Sequence, residues 1–141
     1  VVAARSIKSV AVNKISTYDY FTYSKGSRGL GLIKNIKFNE NGLIPAIAQD
    51  ADTAEVLMLG YMNEEALRRT LSSGEAWFYS RSRKQLWHKG ETSGSSIKVS
   101  SIWKDCDSDT ILIKGKATGP VCHTGNKTCF FQQLTKQDME T

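Results

Sequence analysis

The sequence predicts an α+β fold of mostly antiparallel strands with one main helix. Three observations predict it: about six short runs rich in β-branched or aromatic residues, one stretch carrying helix caps at both ends, and turn chemistry between them. The 141 residues are 40% hydrophobic and 23% charged, which suits a single domain with one core. Two prolines and eleven glycines are too few for a fibrous or disordered chain. No uncharged apolar stretch reaches the ~18–20 residues of a membrane span.

Residues 1–30 lack periodicity and are rich in Ser, Thr, Tyr and basic side chains. They read as a flexible basic N-terminal extension, the alternative being the remnant of an organelle-targeting leader, such as a plastid one. From Ile33 the pattern becomes structured. The turn signal Asn41-Gly42 sits between two strand candidates, Ile36-Lys37-Phe38 and Leu43 to Ala48. A polar break from Asp50 to Glu55 leads to the apolar run Val56 to Tyr61, and that spacing suggests a hairpin. Asn63 caps a helix from Glu64 to about Ser72, with Leu67 and Leu71 on one face and Gly74 at its end. Ala76 to Ser80 reads as a strand from its aromatic density, Ile97 to Trp103 alternates imperfectly, and Thr110 to Lys114 is a further apolar run. The domain is placed at residues 31–134, followed by a C-terminal tail over 135–141.

The net charge of +5 raises nucleic acid as a partner. Five of the basic side chains and only one acid lie in residues 1–30, whereas residues 31–141 hold 14 basic and 13 acidic side chains. A nearly neutral body does not suit a phosphate-backbone grip, so nucleic acid is not expected as a partner.

Three segments carry more chemistry than packing needs. The first runs from Tyr79 through Arg81 and Arg83 to Leu86, Trp87, His88, Lys89, Gly90, Glu91, Thr92, Ser93 and Gly94. If the strand continues, Arg81 and Arg83 point the same way, a pairing suited to phosphate or carboxylate. Gly90 to Gly94 can offer backbone N–H and hydroxyl donors to an anion. A solvated edge strand and a polar loop explain the same residues. His88 reads as an exposed side chain.

The second segment is Asp105-Cys106-Asp107-Ser108-Asp109. On an extended chain, three carboxylates at i, i+2 and i+4 share a face, with Cys106 on the other. An all-oxygen set suits Mg²⁺, although an acidic surface turn fits the spacing too.

The third is Gly119 to Phe130, where Cys122 and Cys129 lie seven apart in a loop that can fold back on itself. With Cys106 they make three thiolates, one short of a closed Cys₄ zinc site. An open fourth position is what a hydrolytic zinc uses, because zinc lowers the pKa of bound water to about 7. His123 is either the fourth ligand or a general acid/base beside the metal. Adjacent residues on an extended chain point apart, which favours the base. An odd count of three cysteines does not suggest a disulfide scaffold.

These stretches together resemble the phosphoribosyl-AMP cyclohydrolases of histidine biosynthesis. The likeness lies in Trp87-His88-Lys89-Gly90-Glu91-Thr92-Ser93-Gly94, Asp105 to Asp109, and Gly119 to Gly125 through Thr128-Cys129-Phe130. It extends over Pro45 to Asp50 and Val56 to Asn63, and so runs from about Ile36 to Phe131. The resemblance implies a cytoplasmic enzyme that opens the adenine ring of phosphoribosyl-AMP between N1 and C6 by hydrolysis. It implies zinc on Cys106, Cys122 and Cys129, with Cys106 donated by the other subunit of an intertwined homodimer, and Mg²⁺ on Asp105, Asp107 and Asp109. The two phosphates of that substrate give Arg81, Arg83 and Lys89 something to bind, beside Trp87, Glu91, Thr92 and Ser93. Some family members carry a pyrophosphohydrolase domain downstream, and that activity is not expected here. A zinc-stabilised binding module would leave the acids and the arginine pair unexplained. A nucleobase deaminase would need H-x-E and P-C-x-x-C, and neither is present.

Overall fold

The computed structural model describes residues 33–140, so the basic extension over 1–30 lies outside the described residues. Six strands and one helix follow in order: β1 (Ile44–Asp50), β2 (Val56–Met62), α1 (Glu64–Ser73), β3 (Trp77–Ser80), β4 (Gln85–His88), β5 (Ile97–Lys104) and β6 (Ile111–Ala117). A single 3₁₀ turn, Lys136–Asp138, follows near the C-terminus, closed by a capping box between Thr135 and Asp138. No helix among the described residues is long and apolar enough to cross a membrane.

Four strands form one sheet in the order β2-β1-β6-β5, and β3 with β4 forms a second, antiparallel pair. The predicted α+β class with mostly antiparallel strands is what forms. One pairing departs from the rest: β1 and β6 run parallel, with Ala46 opposite Ile111 and Ala48 opposite Ile113. Ile44, Ala46 and Ala48 share a buried face with Ile111 and Ile113, joined by Leu57, Met62, Leu67, Phe78 and Ile97. Burial of such side chains, at about 25 cal/mol per Å² of apolar area, drives the two sheets together.

The β1–β2 hairpin forms where the polar break lies. Asp50 Oδ1 accepts from the N–H groups of Asp52 (2.8 Å) and Thr53 (2.9 Å), and Ala54 takes φ 66° to complete the turn. Asn63 caps α1, its Oδ1 accepting from Ala66 N–H at 2.8 Å, and Gly74 ends it at φ 76°. Thr70 then fastens the helix to β3, since its hydroxyl accepts from Trp77 N–H at 2.9 Å and donates to Ala66 O at the same distance. The imperfect alternation of β5 has a physical cause. A bulge between Val99 and Ser101 shifts the register against β6, and opposite it Gly115 admits the Lys98 carbonyl where a Cβ would collide.

Two local expectations are corrected. Ile36 to Phe38 is not a strand. The Asn41-Gly42 turn does form, with Gly42 at φ 75°, but Asn39 Oδ1 closes it by accepting from Asn41 and Leu43 N–H, and no ladder precedes it. The segment instead lies along the acidic loop, where Lys37 N–H donates to Ser108 O at 2.8 Å. Strand β3 ends at Ser80, and residues 81–84 form a turn, so Arg81 and Arg83 are not alternating strand positions. Ser80 Oγ accepts from Arg83 N–H at 3.2 Å, and Lys84 at φ 53° reverses the chain into β4.

Candidate active site and metal centre

The loop after β6 is a compact reversal built from its own backbone. Val121 N–H donates to Lys127 O, Cys122 N–H to Asn126 O, and Gly125 N–H back to Cys122 O, with Gly125 at φ 93°. Cys129 N–H then donates to Leu57 O at 2.8 Å, tying the far arm to β2. The fold-back expected of this loop therefore occurs, and Cys122 and Cys129 shift each other's thiol pKa across it.

Their environments differ. The Thr124 hydroxyl donates to Cys122 Sγ at 3.0 Å. That bond, the Thr124 and His123 backbone N–H groups and the Cys129 thiol hold the Cys122 thiol below its ordinary pKa, against its own burial. Desolvation pushes the Cys129 thiol up, and its neighbour Cys122 adds to the rise. Two sulfur donors on one loop are a ligand pair that a borderline cation such as zinc fits, since thiolates bind it once deprotonated. All three cysteines are free thiols.

The acids converge as well, by a different geometry from the one expected. Asp105 to Ser108 is a turn, with Ser108 N–H on Asp105 O at 3.1 Å and Ser108 at φ 66°, rather than an extended strand. Carboxylate oxygens of Asp105, Asp107 and Asp109 all lie within 4.8 Å of one another, on exposed side chains. The Asp107 carboxyl is pushed up, because its protonated form can donate to Asp109, with desolvation and then Asp105 adding to the rise. Asp105 is held down although desolvation opposes it, because Asp109 and Thr110 donate their N–H groups to its Oδ1 at 3.0 and 3.2 Å. Three oxygens in this arrangement repel unless a cation or proton sits among them.

Among the described residues this acidic trio is the one grouping of three or more His, Cys, Asp or Glu with mutually close ligand atoms. Neither Cys106 nor His123 joins Cys122 and Cys129 in such a group within one chain. Cys106 and His123 are both exposed.

The β3–β4 pair supplies the remaining predicted residues. Trp87 faces inward, its ring 5.6 Å from Phe78, while Lys89 is buried at 4% exposure and donates from Nζ to Ser95 O at 3.1 Å. Arg81 and Arg83 stand exposed in the turn, with Arg81 Cζ 4.1 Å from the Tyr61 ring centroid. Glu91, Thr92 and Ser93 are exposed on the following loop, where Glu91 Oε1 accepts from His88 N–H and Ser93 Oγ accepts from Ser95 N–H. His88 is not a free surface side chain. Its ring stacks on Trp77 at 4.6 Å, and its Nε2 lies 2.7 Å from Glu75 Oε1, a contact that holds the Glu75 carboxyl below its usual range. The cross-strand position opposite Trp77 was the available signal for it.

The family model described as phosphoribosyl-AMP cyclohydrolase matches residues 58–131, from β2 through both cysteines of the loop. The chain belongs to the phosphoribosyl-AMP cyclohydrolase family. A protein of Listeria innocua named phosphoribosyl-AMP cyclohydrolase is 58% identical over 97 residues, which is 69% of this chain and 91% of that protein. One of Pelotomaculum thermopropionicum with the same name is 51% identical over 109 residues, 77% of this chain and 84% of the relative. The histidine biosynthesis bifunctional protein HisIE of Caldanaerobacter subterraneus is 57% identical over 105 residues, 74% of this chain. Of such bifunctional relatives the chain spans about half the length, 51% here. The family's matched region thus contains the acidic turn, the thiol pair and the β3–β4 loop together.

Proposed function

We propose that this chain catalyses the hydrolytic opening of the adenine ring of 1-(5-phosphoribosyl)-AMP, a step of L-histidine biosynthesis, in the cytoplasm. The observation that carries the reading is the backbone reversal of the loop that bears Cys122 and Cys129, in a chain of this family. Cys122 and Cys129, with Cys106 of the partner subunit in a homodimer, would hold zinc, and Asp105, Asp107 and Asp109 would hold Mg²⁺. When bound, zinc supplies a Lewis acid that brings the pKa of a water to about 7.

The substrate's C6 is electrophilic because N1 is alkylated and the ring carries positive charge. Water oxygen bonds to C6, the C6–N1 bond breaks, its electron pair stays with N1, and a proton is delivered there. C6 stays on the imidazole ring as the carboxamide carbon, keeping its amino group and giving up the added hydroxyl's proton. His123, exposed on the loop beside Cys122, is the candidate to take the water's proton and return it to N1. Arg81 and Arg83 reach from the β3–β4 turn for the phosphates, with Thr92 and Ser93 as hydroxyl donors and Trp87 and Glu91 shaping the same edge.

Turnover of phosphoribosyl-AMP, followed by ultraviolet absorbance with Mg²⁺ and stoichiometric zinc, tests this directly. Turnover that a zinc chelator abolishes and added zinc restores is expected. A folded, zinc-loaded protein with no turnover overturns it.

A further inference from the structure

The loop between β4 and β5 has a pinned foot and an open tip. At the tip, residues 91–94 are exposed, and among the described residues nothing accepts from the Thr92 or Ser93 N–H. At the foot, Ser95 is buried, and Lys89 Nζ donates to its carbonyl at 3.1 Å from the inner side. Gly90, at φ 95°, lets the Ser95–Ser96 backbone pass where a Cβ would meet Ser95 C at 2.6 Å.

Thr118, the first residue after β6, holds the other side of the foot. Its N–H donates to Ser96 O at 2.9 Å. Its hydroxyl accepts from Ser96 N–H at 2.9 Å and gives its one proton to Gly94 O at 3.1 Å. Thr118 is exposed, so each bond competes with water and only the set together fixes the loop. Beside them Gly119 lets Ser95 approach, since a Cβ there would meet Ser95 Oγ at 2.6 Å. Among the described residues, every hydrogen bond between residues 89–96 and the segment 117–130 is made by Thr118.

We propose that Thr118 is a positioning residue that sets the separation between the Thr92 and Ser93 donors and the thiol loop beginning at Gly119. This rests on the reaction proposed above, in which those donors take a phosphate and the loop after β6 serves the reacting ring. One substrate spans both loops, so its phosphate meets the donors only while the two keep a fixed distance. The thiol loop is closed by its own bonds, Val121 to Lys127 and Cys122 to Asn126, so its shape does not depend on Thr118. A phosphate remote from C6 is held alike before and in the transition state, and losing its contacts raises KM while sparing kcat.

The test uses the whole chain supplied with zinc and Mg²⁺, with turnover of phosphoribosyl-AMP measured over a range of concentrations. Thr118→Val keeps the shape and loses both hydroxyl bonds, whereas Thr118→Ser keeps the hydroxyl. Thr118→Val is expected to raise KM by roughly ten- to a hundredfold, the scale of an ångström's misplacement, with kcat within about twofold and zinc content unchanged. Thr118→Ser should stay near wild type. Gly119→Ala displaces Ser95 and should raise KM likewise, and adding Ser95→Ala, which removes the colliding atom, should restore it. Either arm decides alone if a variant of the other fails to fold. An unchanged KM in Thr118→Val or in Gly119→Ala overturns the proposal. So does a Thr118→Val loss confined to kcat or zinc content, which is a merely structural effect. A Thr118→Ser variant as impaired as Thr118→Val overturns it too, as does a Gly119→Ala defect that Ser95→Ala leaves in place. A folded, zinc-loaded wild-type chain with no turnover overturns the reading of the reaction itself, and this proposal with it.

Discussion

Thr124 Oγ1 donates to Cys122 Sγ at 3.0 Å while accepting from Asn126 Nδ2 at 2.9 Å, so the loop carries a two-bond relay ending on sulfur. A hydrogen bond to a thiolate favours the charged form. Thr124→Val, nearly the same shape, is expected to raise the Cys122 thiol pKa and weaken zinc retention by roughly tenfold, in line with losing an outer partner. Thr124→Ser should stay near wild type. Alkylation rates of the metal-free protein against pH, with chelator competition, check both, and a Val variant matching wild type would remove the relay's importance.

The proposed sharing of a zinc site between two subunits predicts complementation between two inactive proteins. Cys106→Ser and Cys122→Ser, unfolded together and refolded with zinc, should form about half mixed dimers, each with one intact site of two, so about a quarter of wild-type turnover returns. Mixed dimers confirmed by mass, zinc in excess and no turnover would place all ligands in one chain.

His123→Ala separates ligand from proton carrier. The exposed ring makes no ligand group with the thiol pair. Zinc content should therefore be unchanged, while the rate falls by roughly 10²–10⁴-fold. Loss of zinc at full thiol content would make His123 the fourth ligand.

Asp107 is the carboxylate most burdened by its neighbours. Asp107→Asn relieves the repulsion, so the metal-free variant should melt no lower than wild type. It should also lack the rise in melting temperature expected of the parent with Mg²⁺; an ion at a hundred times its Kd adds about 2.7 kcal/mol. Equal Mg²⁺-induced shifts in both proteins would count against cation binding at this turn.

Asp50 supplies a pH dependence away from the chemistry. Its carboxylate, held by Thr53 and Asp52 N–H and by Lys116, has its pKa lowered to about 2. The folded value lies below the unfolded one of about 3.9, so the stabilisation is complete above that pH and is lost as pH falls toward 2. The gap in melting temperature between wild type and Asp50→Ala should be wide at neutral pH and narrow between pH 4 and 2. A gap constant over that range would show that the turn owes nothing to the charge.

Legibility in the sequence followed the range of the interaction. Helix α1 was readable because Asn63 and Gly74 act on backbone groups within four residues. The Cys122–Cys129 reversal was readable for the same reason. Arg81 and Arg83 were misplaced because Tyr79 to Arg83 alternates like a strand, and only the Ser80 Oγ bond to Arg83 N–H reveals the turn. His88, read as exposed, is half-buried, and Lys89, read as a phosphate ligand, is buried. The end of β4 stacks His88 on Trp77, and the chain just past it turns Lys89 inward, which a polar loop composition does not reveal. The partner of a strand is equally silent: no pattern in Ile44 to Asp50 names Ile111 to Gly115 as its parallel neighbour.

That parallel pairing sets an order of events in folding. The β1–β2 hairpin can close as soon as it is made, yet the inner edge of β1 waits for β6, which emerges from the ribosome after the helix, β3, β4 and β5. Until then β1 presents a bare apolar edge, the kind of surface that recruits other chains. The thiol loop begins two residues after β6, so the nascent chain acquires its cysteine pair only as the last strand docks. Under the proposed metal reading, slow synthesis or scarce chaperones should therefore lower the yield of loaded protein more than that of folded protein.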